Sequence, residues 1–305
     1  MRRTRTLAGL GIAAAALLAL TGCNSGSPSN PSGDTGGDTG DSGDNSALFE
    51  VADDVQLDGS PTFDAMTKRG KVVVGVKEDQ PGLGFLDVTS GERSGFDVDI
   101  ARWVAASLGF DESNIEYKAI ASANREQAIV NADIDYYVGT YSITDKRKEL
   151  IDFAGPYFIT GQGILVGADS GIDDVSDLSD LNGKKVCSAT GSTPIQNIKA
   201  NYPEIDTVEY DLYSACVEDL LNNAVDAVTT DQAILIGYAA QYPDELKVVG
   251  GLFTEERYGV GLPKGDTVLQ DHINQLFTDG GSVWQAIFDK NLGSSGITVD
   301  QPAVD

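Results

Sequence analysis

Between residues 71 and 262, short β-branched apolar runs alternate with stretches of helical spacing, and that alternation restricts the chain to few architectures. Lys71-Val-Val-Val-Gly-Val76 is the kind of run that is buried on both faces in a parallel strand. A helix is predicted over 96–108, with Ile100, Ala101, Val104 and Leu108 along one side and Asp97 as a candidate N-cap. Strands over 115–120 and 134–138 and short helices over 124–130 and 145–150 continue the pattern. It then restarts. Strands are predicted over 163–166, 181–187 (with its leading turn), 207–210, 227–230, 246–249 and 258–262. Helices are predicted over 194–200, 214–222, 234–241, 267–277 and 282–290. This spacing implies an α/β fold with mostly parallel sheets, and the restart implies two such units.

Composition removes several classes of function. The 305 residues carry 47 acidic and 21 basic groups, a net charge of −26. Phosphate binding needs clustered Lys and Arg, so nucleic acid is not an expected partner. A single histidine, His272, excludes a His-rich metal site, and three cysteines exclude a four-thiolate zinc site. No metal and no cofactor is expected. No G-x-x-x-x-G-K-[ST] loop is present to hold ATP.

Arg2, Arg3 and Arg5 precede an Ala/Leu-rich stretch from Leu7 to Leu20, which ends in Leu20-Thr21-Gly22-Cys23. A short apolar core between basic residues and a small-residue site reads as a signal peptide, here residues 1–22, and not as a spanning helix. Leu-Thr-Gly-Cys resembles the lipobox of bacterial lipoproteins, which implies a diacylglyceryl group on Cys23 and an anchor on the extracytoplasmic face of the cell membrane. Removing residues 1–22 takes away three arginines and moves the net charge from −26 to −29. Asn24 to Ser46 contain only Gly, Ser, Asp, Asn, Thr and Pro, nothing that can be buried to offset chain entropy. We read 23–62 as the lipidated cysteine and a disordered acidic tether. Its 23 most polar residues reach about 26 Å.

Three motifs in order carry a family resemblance: Gly95-Phe-Asp-Val-Asp-Ile-Ala101, Ser142-Ile-Thr-Asp-Lys-Arg147 and Ile151-Asp-Phe-Ala-Gly-Pro-Tyr157. The chain resembles the amino-acid-binding branch of the ABC-importer solute-binding proteins. Asp79-Gln-Pro-Gly-Leu-Gly84, Cys187-Ser-Ala-Thr-Gly-Ser-Thr-Pro194, Tyr213-Ser-Ala-Cys216 and Val225-Asp-Ala-Val-Thr-Thr-Asp231 extend the likeness to the actinobacterial glutamate-binding lipoproteins. The resemblance implies a two-lobed type II periplasmic-binding-protein fold with two crossover strands. Lobe 1 would be 65–159 plus 255–305, and lobe 2 would be 160–254. Gly161, Gly163 and the Gly250-Gly251 pair fall near the crossings, where backbone freedom would serve a hinge. Cys187 and Cys216 are the two thiols left after lipidation of an exported chain, and such thiols favour a disulfide.

The resemblance also implies a site. Arg147 would bind the ligand α-carboxylate with Ser142 assisting, since the guanidinium fork matches a carboxylate. Ser192 and Thr193 would meet the same group at a helix N-terminus, with Thr193 as N-cap, Pro194 in the first turn and Gln196 closing a capping box. Asp231 would pair with the ammonium, and the Thr140 carbonyl would accept from it. Arg125 and Lys77, with Gln80 beside them, would read an anionic side chain. The implied function is a monomeric, lipid-anchored receptor that passes glutamate or a related acidic amino acid to an ABC permease served by a separate ATPase subunit. A glutamine or other polar amino-acid receptor is an alternative. A dehydratase on the same fold and a sensor input domain belong to other classes, and a dehydratase would need a general acid in the cleft.

Because a structureless tether separates the lipobox from the folded part, Cys23→Ser should release the protein from the membrane with ligand affinity unchanged. Fractionation and titration calorimetry check this, and loss of binding in a folded variant would place the tether in the site.

Overall fold

The computed structural model describes residues 48–305. The signal peptide, Cys23 and the tether up to residue 47 lie outside the described residues. The tether expected to run to 62 ends earlier. Leu48, Phe49, Val55 and Leu57 pack on the core, and Ala52 N–H donates to the Ala106 carbonyl at 2.9 Å. These four apolar side chains give the segment something to bury, which the stretch before it lacks.

Ser60 caps α1 (Pro61–Arg69), accepting from Phe63 N–H. Then come β1 (Val72–Val76), β2 (Asp79–Gln80), β3 (Gly84–Leu86), β4 (Arg93–Ser94), α2 (Phe96–Ser107), β5 (Ile115–Ala119), α3 (Arg125–Val130), β6 (Tyr136–Tyr137), α4 (Asp145–Lys148) and β7 (Asp152–Thr160). The chain crosses at Gly161 into β8 (Gln162–Gly167), β9 (Lys185–Ala189), α5 (Thr193–Asn201), β10 (Asp206–Tyr210), α6 (Tyr213–Leu221), β11 (Ala227–Asp231), α7 (Gln232–Gln241) and β12 (Leu246–Val249). It returns through β13 (Glu256–Leu262) to α8 (Thr267–Asp279) and α9 (Gly281–Leu292).

Two five-stranded sheets result, in the orders β5-β1-β6-β13-β7 and β10-β9-β11-β8-β12. As expected of mostly parallel sheets, four of the five strands in each run the same way and one is reversed. β1 runs parallel to β5 and β6, whereas β13 is antiparallel to β6 and β7. In the second sheet β9 is parallel to β10 and β11, and β8 is antiparallel to β11 and β12. The antiparallel pairs are the crossing strands and their partners, because the chain that leaves one sheet enters the next running the other way. A hairpin-like three-stranded sheet, β2-β3-β4, was not read from the sequence.

Gly161 was expected to supply backbone freedom. Its reason is space instead: a Cβ there would sit 2.1 Å from the Thr254 carbonyl oxygen. Asp97 is not a cap either. Gly95 holds the N-cap position of α2, and the buried Asp97 carboxylate accepts from Thr140 N–H and Tyr157 O–H, both at 2.8 Å.

Cys187 on β9 and Cys216 in α6 form a disulfide, with 5.5 Å between their Cα atoms and 29 residues of separation. It ties α6 to β9, the strand next to the edge of its sheet. For a loop of that length the chain-entropy model assigns about 3.6 kcal/mol. Reduction or Cys187→Ser/Cys216→Ser should therefore lower the unfolding free energy by up to about that amount. Denaturant unfolding with and without reductant checks this, and two thiols freely alkylated in the exported, non-reduced protein would refute the bond.

Candidate functional site

Most of the expected site residues fall at carboxyl ends of strands or in the loops that follow them, while Arg125 opens α3 and Arg147 lies in α4. Lys77 directly follows β1, Thr140 and Ser142 follow β6, Ser192 and Thr193 follow β9, and Asp231 ends β11. That is where open α/β sheets present their crevice. All nine stand at the meeting of the two sheets' loops. Lys77, Gln80, Arg125, Thr140, Ser142, Arg147, Ser192 and Asp231 are buried, and Thr193 is half-buried.

Arg147 spans the meeting. Its Nη1 donates to the Ser142 carbonyl at 2.6 Å, its Nη2 to the Gly191 carbonyl at 3.2 Å, and its Nε to Glu126 Oε1 at 3.1 Å. Burial, and then the neighbouring Arg125 charge, lower its proton affinity. Both guanidinium groups lie over Tyr141, Arg125 at 4.2 Å and Arg147 at 4.8 Å from the ring centroid. The ring attracts each cation, which offsets part of their mutual repulsion.

Arg125 opens α3 and donates to the Ser122 carbonyl at 3.1 Å and the Thr140 carbonyl at 3.3 Å. Lys77 Nζ donates to Ser122 Oγ at 2.8 Å. Among the described residues no carboxylate pairs with Lys77 or Arg125. Burial, followed by the Arg125 charge, pushes the Lys77 ammonium down to about 7. Gln80 is fully buried and exchanges hydrogen bonds with Thr140 Oγ1 at 3.1 and 3.2 Å. Thr140 itself holds a left-handed backbone, φ 46°, which Asp97 secures by taking its N–H. Desolvation pushes Asp97 up to about 6.

On the other sheet, Ser192 caps α5, accepting from Ile195 N–H at 3.3 Å, where Thr193 was expected to do so. Thr193 lies one residue later. Its hydroxyl donates to Glu256 Oε2 at 2.8 Å and meets Ser142 Oγ at 3.4 Å. The Gln196 amide reaches back to the Gly191 and Ser192 carbonyls, so no capping box forms. Asp231 occupies the N-cap position of α7 without capping it. Its Oδ2 accepts from Tyr258 O–H at 2.7 Å, and its Oδ1 is buried with no hydrogen-bond partner. Burial, then the Glu256 charge, pushes it up to about 8.

Ser122, Glu126, Tyr141, Glu256 and Tyr258 were not singled out from the sequence. Ser122 and Glu126 lie three residues before and one after Arg125, but nothing in their spacing shows what they bond. A cavity of about 540 Å³ opens outside the cations, lined by Ser122, Ala123, Glu126, Arg147, Gly191 and Thr193. Lys77, Arg125 and Asp231 do not line it. Among the described residues no cluster could hold a metal ion, and no helix is long and apolar enough to cross a membrane.

An ammonium ligand needs ionised Asp231, and the unliganded carboxyl holds its proton below about 8. Binding should therefore release a proton. Between pH 5 and 6, where Lys77 is still largely charged, affinity should rise by nearly tenfold per unit at most. Calorimetry in two buffers of different ionisation heat reads the released proton, which Asp231→Asn should remove.

Residues 72–293 match the model of the bacterial extracellular solute-binding proteins, family 3. The chain is 41% identical over 257 residues to the glutamate-binding protein GluB of Corynebacterium glutamicum, covering 80% of this chain and 85% of that one. It is 40% identical over 206 residues to the glutamine-binding protein of Geobacillus stearothermophilus, covering 68% and 78%. The cysteine-binding protein of Campylobacter jejuni superposes with a TM-score of 0.73 at 27% identity, covering 80% of this chain and 98% of that one. The fold is thus that of the type II periplasmic binding proteins.

Proposed function

The chain belongs to the bacterial extracellular solute-binding proteins of family 3, proteins that bind and do not catalyse, and on that premise we propose that it captures glutamate or a closely related acidic amino acid for an ABC importer. Lobes 65–159 plus 255–305 and 160–254 close on the ligand, Cys23 carries the lipid anchor, and the permease takes the ligand from the closed receptor.

One observation carries the acidic ligand. Three cations, Lys77, Arg125 and Arg147, are buried together, and only Arg147 has a carboxylate partner, Glu126. An unpaired charge removed from water is unfavourable by several kcal/mol. A ligand with two carboxylates supplies the missing anions, one to Arg147 and one to Arg125 and Lys77. Its ammonium supplies the partner that Asp231 Oδ1 lacks. In a protein of net charge −26, a buried cation cluster is a local arrangement, since exposed charges beyond about 8 Å are screened.

Glutamine is the second reading. It is favoured by the Lys77 ammonium, which at about 7 is half neutral in neutral solution, and by the similarity to a glutamine-binding protein.

Titration calorimetry of the folded protein against the twenty amino acids tests the assignment. Arg147→Ala should abolish binding of all of them, a loss of about thirty-fold to several thousand-fold. Arg125→Ala and Lys77→Ala should weaken glutamate far more than glutamine, because the amide carries no charge. An unchanged glutamate-to-glutamine ratio in both variants would remove the acidic reading and leave a general amino-acid receptor.

A further inference from the structure

Besides Arg147, a second junction joins the two sheets' loops, and of the proposed ligand-site residues it includes Gln80. The segment Asp79-Gln80-Pro81 of the first half docks on α6 and α7 of the second. Ser214 N–H, in the first turn of α6, donates to Asp79 Oδ2 at 3.1 Å. Tyr238 O–H, on α7, donates to the Asp79 carbonyl. At the residue before Tyr238, α7 presents Gly237 to Pro81 so closely that a Cβ on Gly237 would lie 2.2 Å from the Pro81 carbonyl oxygen and 3.1 Å from its carbon.

Gly237 lies in the middle of α7, Gln232–Gln241, with no special backbone angle to explain it. Glycine inside a helix is destabilising relative to alanine. The packing against Pro81 explains it. Pro81 is held in turn by Gln80, whose side chain is fixed on Thr140, and by Asp79.

We infer that Gly237, with Tyr238, forms a latch that permits the two halves to close on Pro81, and so sets the affinity for every ligand without contacting any. The inference rests on the proposed function, in which the ligand is held by closure. A methyl group at 237 is compatible with an open protein and incompatible with this contact. It should therefore strengthen α7 while weakening the closed state, two effects of opposite sign that general damage to the fold does not produce.

The experiment compares the full-length protein with Gly237→Ala and Tyr238→Phe. Each is titrated with glutamate and glutamine, its dissociation rate is measured by stopped flow, and its ligand-free thermal midpoint is recorded. Gly237→Ala should raise Kd for both ligands by about five- to 150-fold, the range expected of overpacking a close contact. The rise should be carried by faster dissociation, with the glutamate-to-glutamine ratio kept and the ligand-free midpoint equal or higher. Tyr238→Phe, which keeps the ring and loses one hydrogen bond, should raise both Kd values by a few-fold. Wild-type affinity in both variants overturns the latch. So does a changed ligand ratio in Gly237→Ala, which would place this helix face in the pocket. If the wild type binds amino acids but not glutamate, only the specificity falls. If it binds none, the receptor reading and the latch fall together.

Discussion

Arg147 is the side chain around which the two halves of the molecule are arranged. It leaves a four-residue helix, is buried, and ends on a carbonyl of the opposite half at Gly191. A guanidinium so placed needs acceptors in fixed directions. Three are provided by separate segments: the Ser142 carbonyl, the Gly191 carbonyl and the Glu126 carboxylate. The Tyr141 ring then positions Arg125 as well, so one aromatic side chain sets two cations at a defined separation. The proposed ligand site depends on this frame, since the anion partners are placed relative to two guanidinium groups that cannot drift apart.

The frame is incomplete by itself. Asp231 keeps a proton up to about 8 and leaves one oxygen without a donor, while Lys77 has been brought down to about 7. Both shifts have burial as their leading cause, followed by a like charge, Glu256 beside Asp231 and Arg125 beside Lys77. A polar cluster only partly satisfied is unfavourable in a low-dielectric interior. It becomes favourable when one molecule carries an ammonium and a carboxylate at amino-acid spacing. The chain belongs to a family of solute-binding proteins, and in the proposed function the unsatisfied atoms are the ones that meet the ligand's charged groups.

Much of this frame was legible in the sequence, and what was not had a common cause. The strands, the helices and the restart of the pattern followed from hydrophobic periodicity, a local property. So did the disulfide candidates, from counting thiols in an exported chain. The direction of β8 and β13 was not legible, because strand polarity within a sheet is set by where the chain crosses and not by the residues in the strand. Asp97 was read as a helix cap from its place before an apolar run, yet its carboxylate serves Thr140, 43 residues away. Thr193 and Ser192 exchanged roles for a similar reason. Either hydroxyl could cap α5, and Glu256, 63 residues away, accepts the Thr193 hydroxyl's hydrogen bond and leaves the cap to Ser192. Site residues recovered from motifs were placed at strand ends, but their partners, Ser122, Tyr141 and Glu256, came only with the tertiary structure.

Gly237 is an instance of a broader rule about where local and global preferences disagree. Sequences that specify one structure are locally consistent, and departures concentrate where function imposes them. In α7 the local preference would be alanine. In β7–β8 it would be a β-branched residue at 161, where a Cβ would strike Thr254. At 191 a side chain would strike Ala123, 2.6 Å away. Of these three glycines, 161 sits at the crossing itself, while 191 and 237 lie on the second half and face backbone of the first. The crossing must remain thin whatever the halves do. Gly237 matters where the halves meet at Pro81, and Gly191, beside Arg147, is also required by its left-handed backbone, φ 77°. Two bare backbone patches on opposite sides of the site let the surfaces approach closely enough to exclude water. Exclusion of water is what gives the buried cations and Asp231 their strength toward a charged ligand.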